Sequence, residues 1–352
     1  MNDGNAGGLL QRRTREQRER DEFERLAPLA TKAAASQGRE HDEPDDPFRT
    51  CFERDRDRIL HSKAFRRLKH KTQVFLNPDG DHFVTRMTHT LQVAQVGRSI
   101  AAALGLNEPL TEAICLGHDL GHSPFGHTGE EALSPYFRQV VGSSSTLPNA
   151  APEWQHAIHG VRVVRLLEPL NLTLEVLDGI GQSSWKNDPP PATPEGWVCR
   201  YADRIAYLAH DVEDAIRAGV LLPDGVPDRF VTAFGEPGRD WIASMVTAVI
   251  EASVAAGEVT MDPERFAVMD ELRDWMFEHV YLRDEARAQA VNAIRVIQDL
   301  VEWFRDHPED VPEAYRLPGS DATQAAIDHV AGMSDKYAMR LHDELYRPAG
   351  LY

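Results

Sequence analysis

The sequence predicts an all-α fold, because apolar residues recur at helical spacing along most of the chain and strand-like alternation is scarce. The segment Arg86 to Leu104 shows this spacing, and Gly105 is expected to end the helix. One short stretch favours strands, since Phe75 and Phe83 lie on either side of an Asn-Pro-Asp-Gly turn. We therefore expect a helical core with additional packed helices and at most one small β-hairpin.

The chain divides by composition into three parts. Residues 1–45 are rich in Arg, Glu, Asp and Gly, and we expect a mobile charged N-terminal arm with one short helical piece from Arg12 to Leu29. Residues 46–220 carry the motifs described below and are expected to form the core. Residues 221–352 continue as amphipathic helices, broken around Pro308 to Pro318, that would pack on this core. With 42% hydrophobic residues, the chain can bury a substantial core.

Helical spacing and turn residues also mark the elements inside residues 46–220. Thr111 is expected near the start of a helix that ends at Gly121. Further helices are predicted from Trp154 to Leu170 and from Val198 to Ala218. Composition predicts two loops, at Ser143 to Pro152 and at Asn187 to Gly196.

The charge and the cysteine content narrow the possible functions. A formal charge of −18 argues against sequence-independent binding of duplex nucleic acid, but it leaves room for a small anionic substrate. The most apolar long stretch, Trp241 to Gly257, is interrupted by polar residues and predicts a packed helix instead of a membrane span. The N-terminal residues contain no apolar leader, and Cys51, Cys115 and Cys199 lack disulfide or zinc spacing. We therefore expect reduced thiols and a cytoplasmic location.

Four residues form a candidate metal-ligand set. They are His89, the adjacent pair His118 and Asp119, and the distant Asp203. Imidazole and carboxylate donors suit one divalent cation, and the absence of cysteine among them argues against a closed structural zinc site. A set of this kind leaves coordination positions open for water and phosphate oxygens, which favours hydrolysis.

A basic cluster lies upstream of this set. Its members are Arg54, Arg56, Arg58, Lys63, Arg66, Arg67, Lys69 and Lys71. One interpretation is a wall that faces the phosphates of a substrate, and the other is an ordinary solvated face of a helix. Arg86 is a separate candidate for a phosphate clamp, because it lies three residues before His89 on the same helical face.

Longer motifs surround these residues. The sequence reads Phe52-Glu-Arg-Asp-Arg-Asp-Arg-Ile-Leu-His61, Lys71-Thr-Gln73, Arg86-Met-Thr-His89, Gly117-His-Asp-Leu-Gly-His-Ser-Pro-Phe-Gly-His-Thr-Gly-Glu130, Tyr201-Ala-Asp203-Arg-Ile-Ala-Tyr207 and Ala331-Gly-Met-Ser-Asp-Lys-Tyr337. Across residues 47–338 the chain resembles the HD-domain phosphohydrolases. More narrowly, it is similar to the bacterial deoxynucleoside triphosphate triphosphohydrolases, the dGTPase-like family.

This resemblance implies an HD-domain catalytic core in residues 46–220 and hydrolysis of a dNTP to deoxynucleoside and inorganic triphosphate. It also implies one divalent metal ion per chain, such as Mn²⁺ or Mg²⁺, with His127 and Glu130 as a catalytic pair and His122 facing phosphate. The three-residue spacing would let Glu130 orient the His127 ring. From the residues alone, His122 and His127 could instead bind a second metal ion, and that alternative stays open.

Four further residues are implied to contact the substrate. Tyr207 and Asp211 follow Asp203 at intervals of four, so the three share one helical face. The resemblance implies that the Tyr207 ring packs where a 2′-hydroxyl would lie and that Asp211 accepts a hydrogen bond from the 3′-hydroxyl. It assigns Gln73 to the sugar and His156 to the substrate.

Two stretches depart from the pattern of the family. His156 lies in Trp154-Gln-His-Ala157, where the family usually has an aromatic-Glu-His-Asn motif. After Ile180 the chain reads Gly-Gln-Ser-Ser-Trp185, where relatives usually carry a Lys-His or similar pair. These departures do not affect the candidate metal ligands, but they leave open which nucleobase of the substrate is preferred.

The resemblance also implies assembly into a homo-oligomer, from dimer to hexamer, with dNTPs as possible activators and no membrane partner. Two other functions remain open at this point. One is a different HD-domain reaction, by a nucleoside monophosphatase or a phosphodiesterase. The other is a non-catalytic nucleotide-binding regulator, against which the presence of both His127 and Glu130 argues, because a binder needs no proton-transfer pair.

Overall fold

The computed structural model describes residues 12–73, 83–143, 153–222 and 224–346. Within these ranges the chain forms fifteen α-helices and no strand, which confirms the predicted all-α class. Two isolated antiparallel bridges occur among the described residues, one between Thr72 and Thr85 and one between Arg39 and Thr173. The predicted hairpin turn and the predicted loop from Ser143 to Pro152 lie almost wholly outside the described residues.

The helices follow one another with short connections. In chain order they are α1 (Arg15–Arg25), α2 (Cys51–His61), α3 (Lys63–Arg67), α4 (Arg86–Leu104), α5 (Glu108–Gly117), α6 (His127–Ser143), α7 (His156–Arg162), α8 (Leu174–Gly181), α9 (Pro194–Arg217), α10 (Asp228–Phe234), α11 (Arg239–Ala256), α12 (Pro263–Met276), α13 (Asp284–Asp306), α14 (Ala322–Ala331) and α15 (Asp335–Tyr346). Two π-helical turns, Val163–Leu167 and Phe277–Tyr281, extend α7 and α12.

The N-terminal segment is fixed to the core over residues 12–45, so the prediction of a mobile arm is wrong for this part. Arg39 forms an ion pair with the buried Asp55 and donates to the carbonyl of Asn171. The Thr31 hydroxyl donates to Glu195 at 2.8 Å. Composition indicated a solvated chain, but these charged and polar groups have partners far away in the sequence. Residues 1–11 lie outside the described residues.

Helices α4, α5 and α9 form the centre of the molecule. Helix α4 packs against both α5 and α9, and a Cβ at Gly97 of α4 would lie only 2.8 Å from the Cys115 sulfur on α5. This glycine therefore permits the close approach of the two helices. Helix α5 begins one turn earlier than predicted, because the Asn107 side chain, and not Thr111, accepts the capping hydrogen bond from the Leu110 amide at 3.2 Å.

The buried apolar residues form two clusters, and neither follows the expected boundary at residue 220. The first runs from Ala30 to Val280 and includes helices α10 to α12. The second joins α6 to α13, α14 and α15, with Leu133, Ile297 and Val330 fully buried. The C-terminal helices therefore pack directly on α6, whose first residue is His127.

Among the described helices, none combines the length and the apolar content needed to cross a membrane.

Candidate metal centre and active site

The structure brings the four predicted metal ligands together from three central helices. His89 lies on α4, His118 and Asp119 lie in the turn that ends α5, and Asp203 lies on α9. The His89 Nε2 atom is 3.0 Å from Asp203 Oδ1. The His118 Nε2 atom lies 3.6 Å from the same oxygen and 3.4 Å from Asp119 Oδ1.

The His118 ring is oriented so that one nitrogen remains available. Its Nδ1 donates a hydrogen bond of 2.6 Å to the carbonyl of Cys115, one turn earlier on α5. Its Nε2 is buried and makes no hydrogen bond among the described residues. A buried nitrogen without a partner is costly, and a cation between the two carboxylates would satisfy it.

The electrostatics of this cluster also favour a bound cation. Burial lowers the pKa of His118, but the carboxylates of Asp119 and Asp203 outweigh burial and raise the pKa to about 10. Burial raises the pKa of Asp203, but the adjacent histidines outweigh it and hold that pKa below its ordinary value. The buried Asp119 and the partly buried Asp203 therefore favour a positive charge between them, which a divalent metal ion would supply in place of a proton. His89, His118 and Asp203 have ligand atoms within 4.8 Å of one another and fit such an ion, and Asp119 adjoins them through His118.

Arg86 supports this cluster from the first turn of α4. The side chain is buried, and its Nη1 donates to Asp119 Oδ2 at 2.9 Å. The backbone of Gly126 comes so close that a Cβ there would lie 2.6 Å from Arg86 Nη2. Gly126 also has a φ of +56°, so glycine serves both the close approach and the left-handed backbone. Arg86 thus lies between the metal cluster and the loop that leads to His127.

A second group of polar residues surrounds Glu130 on the first turn of α6. Glu130 Oε1 accepts a hydrogen bond of 2.6 Å from His156 Nδ1, and Oε2 lies 3.3 Å from His127 Nδ1. His122 stacks on His156, with ring centroids 3.9 Å apart and planes within 10°. Burial raises the pKa of Glu130, but the charges of His156 and His127 outweigh it and bring the pKa well below its usual value. Glu130 is therefore an anion that fixes two imidazole rings.

His122 joins this second group to the metal cluster. Its Nε2 lies 3.2 Å from Asp119 Oδ1, and its Nδ1 lies 3.5 Å from Glu130 Oε1. Burial and the nearby Arg86 lower the pKa of His122 well below its ordinary value, so the ring is neutral. His127 is different, because 73% of its side chain is exposed. Its ring therefore lies at the open side of the site.

One cleft of about 1340 Å³ contains nearly all of these side chains. Every predicted site residue except His118, which lies behind the surface, lines this cleft. Tyr207 and Asp211 form one wall, one and two turns of α9 beyond Asp203. The cleft is large enough to enclose a nucleotide, and its lining is both apolar and polar.

Sequence analysis missed two contacts in this cleft. Tyr281, on the π-helical turn after α12, donates a hydrogen bond of 2.7 Å to Asp211 Oδ2. His156 contacts Glu130, although the two are 26 residues apart and no spacing rule links them. Neither contact has a local sequence signal, because each joins elements that meet only in the folded chain.

The predicted basic wall is wrong, because no basic residue from Arg54 to Lys71 lines the cleft. Arg54 and Arg58 form ion pairs with Glu43, and Lys71 is buried behind the site. The cations that do line the cleft come from later helices and loops. They include Lys186, Arg204, Arg273, Arg283 and Arg287.

Two features define an HD-domain metal-dependent hydrolase. One is the His-Asp turn at the end of α5, and the other is the pair of donor residues, His89 on α4 and Asp203 on α9. The HD domain family matches residues 86–208, and a phosphohydrolase-associated domain matches residues 259–344. The chain belongs to the deoxyguanosinetriphosphate triphosphohydrolase-like family.

Three relatives carry the name deoxyguanosinetriphosphate triphosphohydrolase-like protein. The relative from Caldanaerobacter subterraneus subsp. tengcongensis is 44% identical, over 96% of this chain and 97% of its own. The relative from Desulfatibacillum aliphaticivorans is 40% identical, over 95% of this chain and 98% of its own. The relative from Clostridium tetani is 39% identical, over 92% of this chain and 93% of its own. A crystal structure of a hypothetical protein from Aquifex aeolicus is 20% identical, with a TM-score of 0.47, and the match covers 84% of this chain and 68% of that one.

Proposed function

We propose that this protein hydrolyses a deoxynucleoside triphosphate to a deoxynucleoside and inorganic triphosphate. The observation that carries the proposal is the single cleft in which the His-Asp donor cluster, the Glu130 group and the Tyr207 wall lie together. The names of the relatives, which specify deoxyguanosine triphosphate, separately support a dGTP-like substrate.

In this proposal His89, His118, Asp119 and Asp203 hold one divalent metal ion, such as Mn²⁺ or Mg²⁺. When bound, this ion would supply Lewis acidity to a phosphate oxygen and lower the pKa of a coordinated water molecule. The cysteine carbonyl that accepts from His118 Nδ1 fixes the ring so that Nε2 points to the other donors.

Cationic side chains bind the triphosphate. Arg86 is the nearest to the donor cluster, because it already contacts Asp119. Arg204, Arg273 and Arg287 line the same cleft and would offset the charge of the remaining phosphates. Gln73 and His122 contribute neutral polar contacts, to the sugar and to phosphate.

His127 and Glu130 move the proton. Glu130 contacts His127 Nδ1, so the other ring nitrogen is free to exchange a proton with the attacking water or with the 5′-oxygen of the leaving deoxynucleoside. The ionised Glu130 stabilises the protonated ring. His156 also donates a hydrogen bond to Glu130 and stacks on His122, so it holds both of these side chains in place. His156 lines the cleft itself and would contact the substrate.

Tyr207 and Asp211 select the sugar. The Tyr207 ring would occupy the space that a 2′-hydroxyl needs, and Asp211 would accept the hydrogen bond of the 3′-hydroxyl. Tyr281 holds Asp211 in place through its own hydrogen bond. Ribonucleotides would then be rejected because their 2′-hydroxyl would clash with the Tyr207 ring.

A second candidate function follows from another group of donors. Asp119, His122 and His156 have ligand atoms within 4.8 Å of one another, which is close enough for a second metal ion. Two metal ions side by side are typical of phosphodiesterase chemistry. The number of metal ions per chain separates this function from the first one.

The experiment that tests the proposal is incubation of the pure protein with each dNTP, each NTP and a dNMP, with Mn²⁺ or Mg²⁺, and separation of the products. We expect inorganic triphosphate and deoxynucleoside in equal amounts from at least one dNTP. Release of orthophosphate from a dNMP would instead identify a monophosphatase. Binding of dNTP without any product would identify a regulator.

A further inference from the structure

Asp335 is a buried acidic residue that the proposed mechanism does not use. It is the first residue of α15, within the C-terminal motif from Ala331 to Tyr337, and its side chain is only 7% exposed. The motif belongs to the phosphohydrolase-associated domain and not to the HD domain. No metal-ligand candidate and no residue lining the cleft comes from this motif within the described residues.

The two oxygens of this carboxylate hold two different parts of the active site. Oδ1 accepts a hydrogen bond of 3.1 Å from the amide of Phe125. Oδ2 accepts a hydrogen bond of 2.8 Å from the amide of Thr72. Phe125 lies in the loop between His122 and His127, and Thr72 precedes Gln73. One side chain therefore joins the catalytic loop to the segment opposite it.

The loop from His122 to His127 requires such an anchor. Phe125 has a φ of +61°, a left-handed conformation that is strained for a residue with a side chain. The start of the loop is also tied to the C-terminal motif, because Lys71 Nζ donates both to the carbonyl of His122 and, at 3.0 Å, to that of Ala331. Both ends of the loop thus depend on the C-terminal helices.

The ordinary function of an acidic residue at a helix start does not account for Asp335. The hydroxyl of the preceding Ser334 already accepts a hydrogen bond from the Tyr337 amide, at 3.4 Å. The carboxylate of Asp335 makes its hydrogen bonds outside α15. Asp321 offers the contrast, since this exposed residue caps α14 by accepting from the Gln324 amide at 2.7 Å.

We propose that Asp335 is a positioning residue, which sets the distance of the His127 loop from the segment of Gln73 and Arg86 by holding the amides of Phe125 and Thr72. The C-terminal motif thereby controls the geometry of the proton-transfer pair, although none of its described residues lines the cleft. The kinetic part of this inference rests on the proposed function, whereas the structural part does not.

The structural part is tested by amide hydrogen exchange on the full chain, in wild type, Asp335→Ala and Asp335→Asn, with Asp321→Ala as the matched control. We expect about tenfold faster exchange at both Phe125 and Thr72 in Asp335→Ala, and at one of the two in Asp335→Asn, which is the loss of about 1.4 kcal/mol of local protection at each released amide. Asp321→Ala should leave both amides unchanged and speed exchange at Gln324. Asp335→Asn keeps one acceptor oxygen, so it gives the readout if the alanine variant does not fold. Unchanged exchange at both amides would overturn the inference.

The kinetic part is tested by a double-mutant cycle with His127→Ala. We expect Asp335→Ala to lower kcat by tenfold or more in the wild-type background, with the KM for the dNTP and the metal content changed less than twofold. In the His127→Ala background the same change should cost less than twofold, because the group that it positions is gone. Equal factors in both backgrounds would contradict positioning. An inactive wild type would refute the proposed function, and the exchange experiment would still decide the function of Asp335.

Discussion

At the residue scale, the metal proposal depends on the Nε2 atom of His118. Within the part of the chain that the structure describes, this nitrogen is buried without a hydrogen bond, and two carboxylates lie within 3.6 Å of it. Two carboxylates and two imidazoles that lie together in a largely buried cluster need a compensating positive charge, and either protons or a cation can supply it. The Cys115 carbonyl fixes the ring through Nδ1, so that Nε2 faces both carboxylates and is placed to bind a cation in exchange for its proton.

Loss of a ligand should therefore remove the metal and the activity together. We expect Asp203→Ala to release the ion on desalting and to reduce turnover below detection. The exposed Asp306→Ala is the control and should retain both. Metal analysis of the purified variants, together with turnover, checks the prediction. Full metal occupancy in Asp203→Ala would show that Asp203 is not a ligand.

Replacement of His127 should separate chemistry from binding. His127→Ala is expected to lower the single-turnover rate by about 10²- to 10⁴-fold, because a positioned acid or base is lost. The metal content and the dNTP affinity should stay near wild type, since His127 lies beyond the donor cluster and is largely exposed. The exposed His61→Ala serves as the control. If His127→Ala loses a metal ion, a second ion held by His127, Glu130 and His156, whose ligand atoms also lie within 4.8 Å of one another, becomes the better account.

At the scale of the element, helix α9 carries the proposed ligand Asp203 and the proposed sugar contacts Tyr207 and Asp211 on one face. Asp203, Tyr207 and Asp211 succeed one another at four-residue spacing, and all three line the cleft. A rigid helix thus fixes the distance between the donor cluster and the sugar. Tyr281 joins this face from a π-helical turn, a feature that is frequent at functional sites.

Sugar selection is expected to depend on the Tyr207 ring. Tyr207→Ala should narrow the ratio of kcat/KM for dGTP over GTP, because the space beside C2′ opens. Tyr207→Phe keeps the ring and should retain the ratio of the wild type. Steady-state rates with both nucleotides check this. Equal wild-type rates on dGTP and GTP would contradict the assignment before any variant is made.

The stability of the fold should fall with rising pH because of Asp211. Burial raises the pKa of this carboxyl from an ordinary 3.8 to about 8, so the folded state binds more protons than the unfolded state between these values. The free energy of unfolding therefore decreases through this window, by at most about 1.4 kcal/mol per pH unit. Asp211→Asn should flatten the slope, and urea unfolding from pH 5 to 8 measures it. An unchanged slope in the variant would contradict this account of Asp211.

The sequence predicted the elements that carry local signals. The proximity of the proposed ligands on α4, α5 and α9 was predictable, because the His-Asp pair and the four-residue spacing of α9 are visible in the chain itself. The basic segment from Arg54 to Lys71 was misinterpreted, because charge composition does not show that Glu43 pairs with Arg54 and Arg58. The His156 to Glu130 contact, the contribution of Tyr281 and the packing of residues 12–45 depend on long-range contacts that no spacing rule contains.

At the scale of the whole molecule, the chain is strongly acidic, whereas its cleft is balanced in charge. The formal charge is −18, while seven basic and seven acidic side chains line the cleft. A bound divalent cation would make this lining net positive, which would favour a small anionic substrate without attracting duplex nucleic acid. The two hydrophobic clusters meet at this cleft, since α6 belongs to the second and the metal ligands pack on the first.

Assembly is the prediction that belongs to this scale. On the basis of the resemblance, we expect a homo-oligomer from dimer to hexamer, with dNTPs as possible activators. Light scattering at micromolar protein, with and without dNTP, measures the mass of the particle. A particle near the 39.4 kDa of one chain in both conditions would contradict the prediction.

The central claim is that water attacks the α-phosphorus of a dNTP in the cleft that holds the donor cluster and His127. The most direct measurement is hydrolysis in H₂¹⁸O, with wild type and His127→Ala compared and the label located by mass spectrometry. We predict one ¹⁸O atom in the inorganic triphosphate, none in the deoxynucleoside, and formation of both products slowed in parallel in His127→Ala. Label in the deoxynucleoside, or pyrophosphate as the product, would contradict the account.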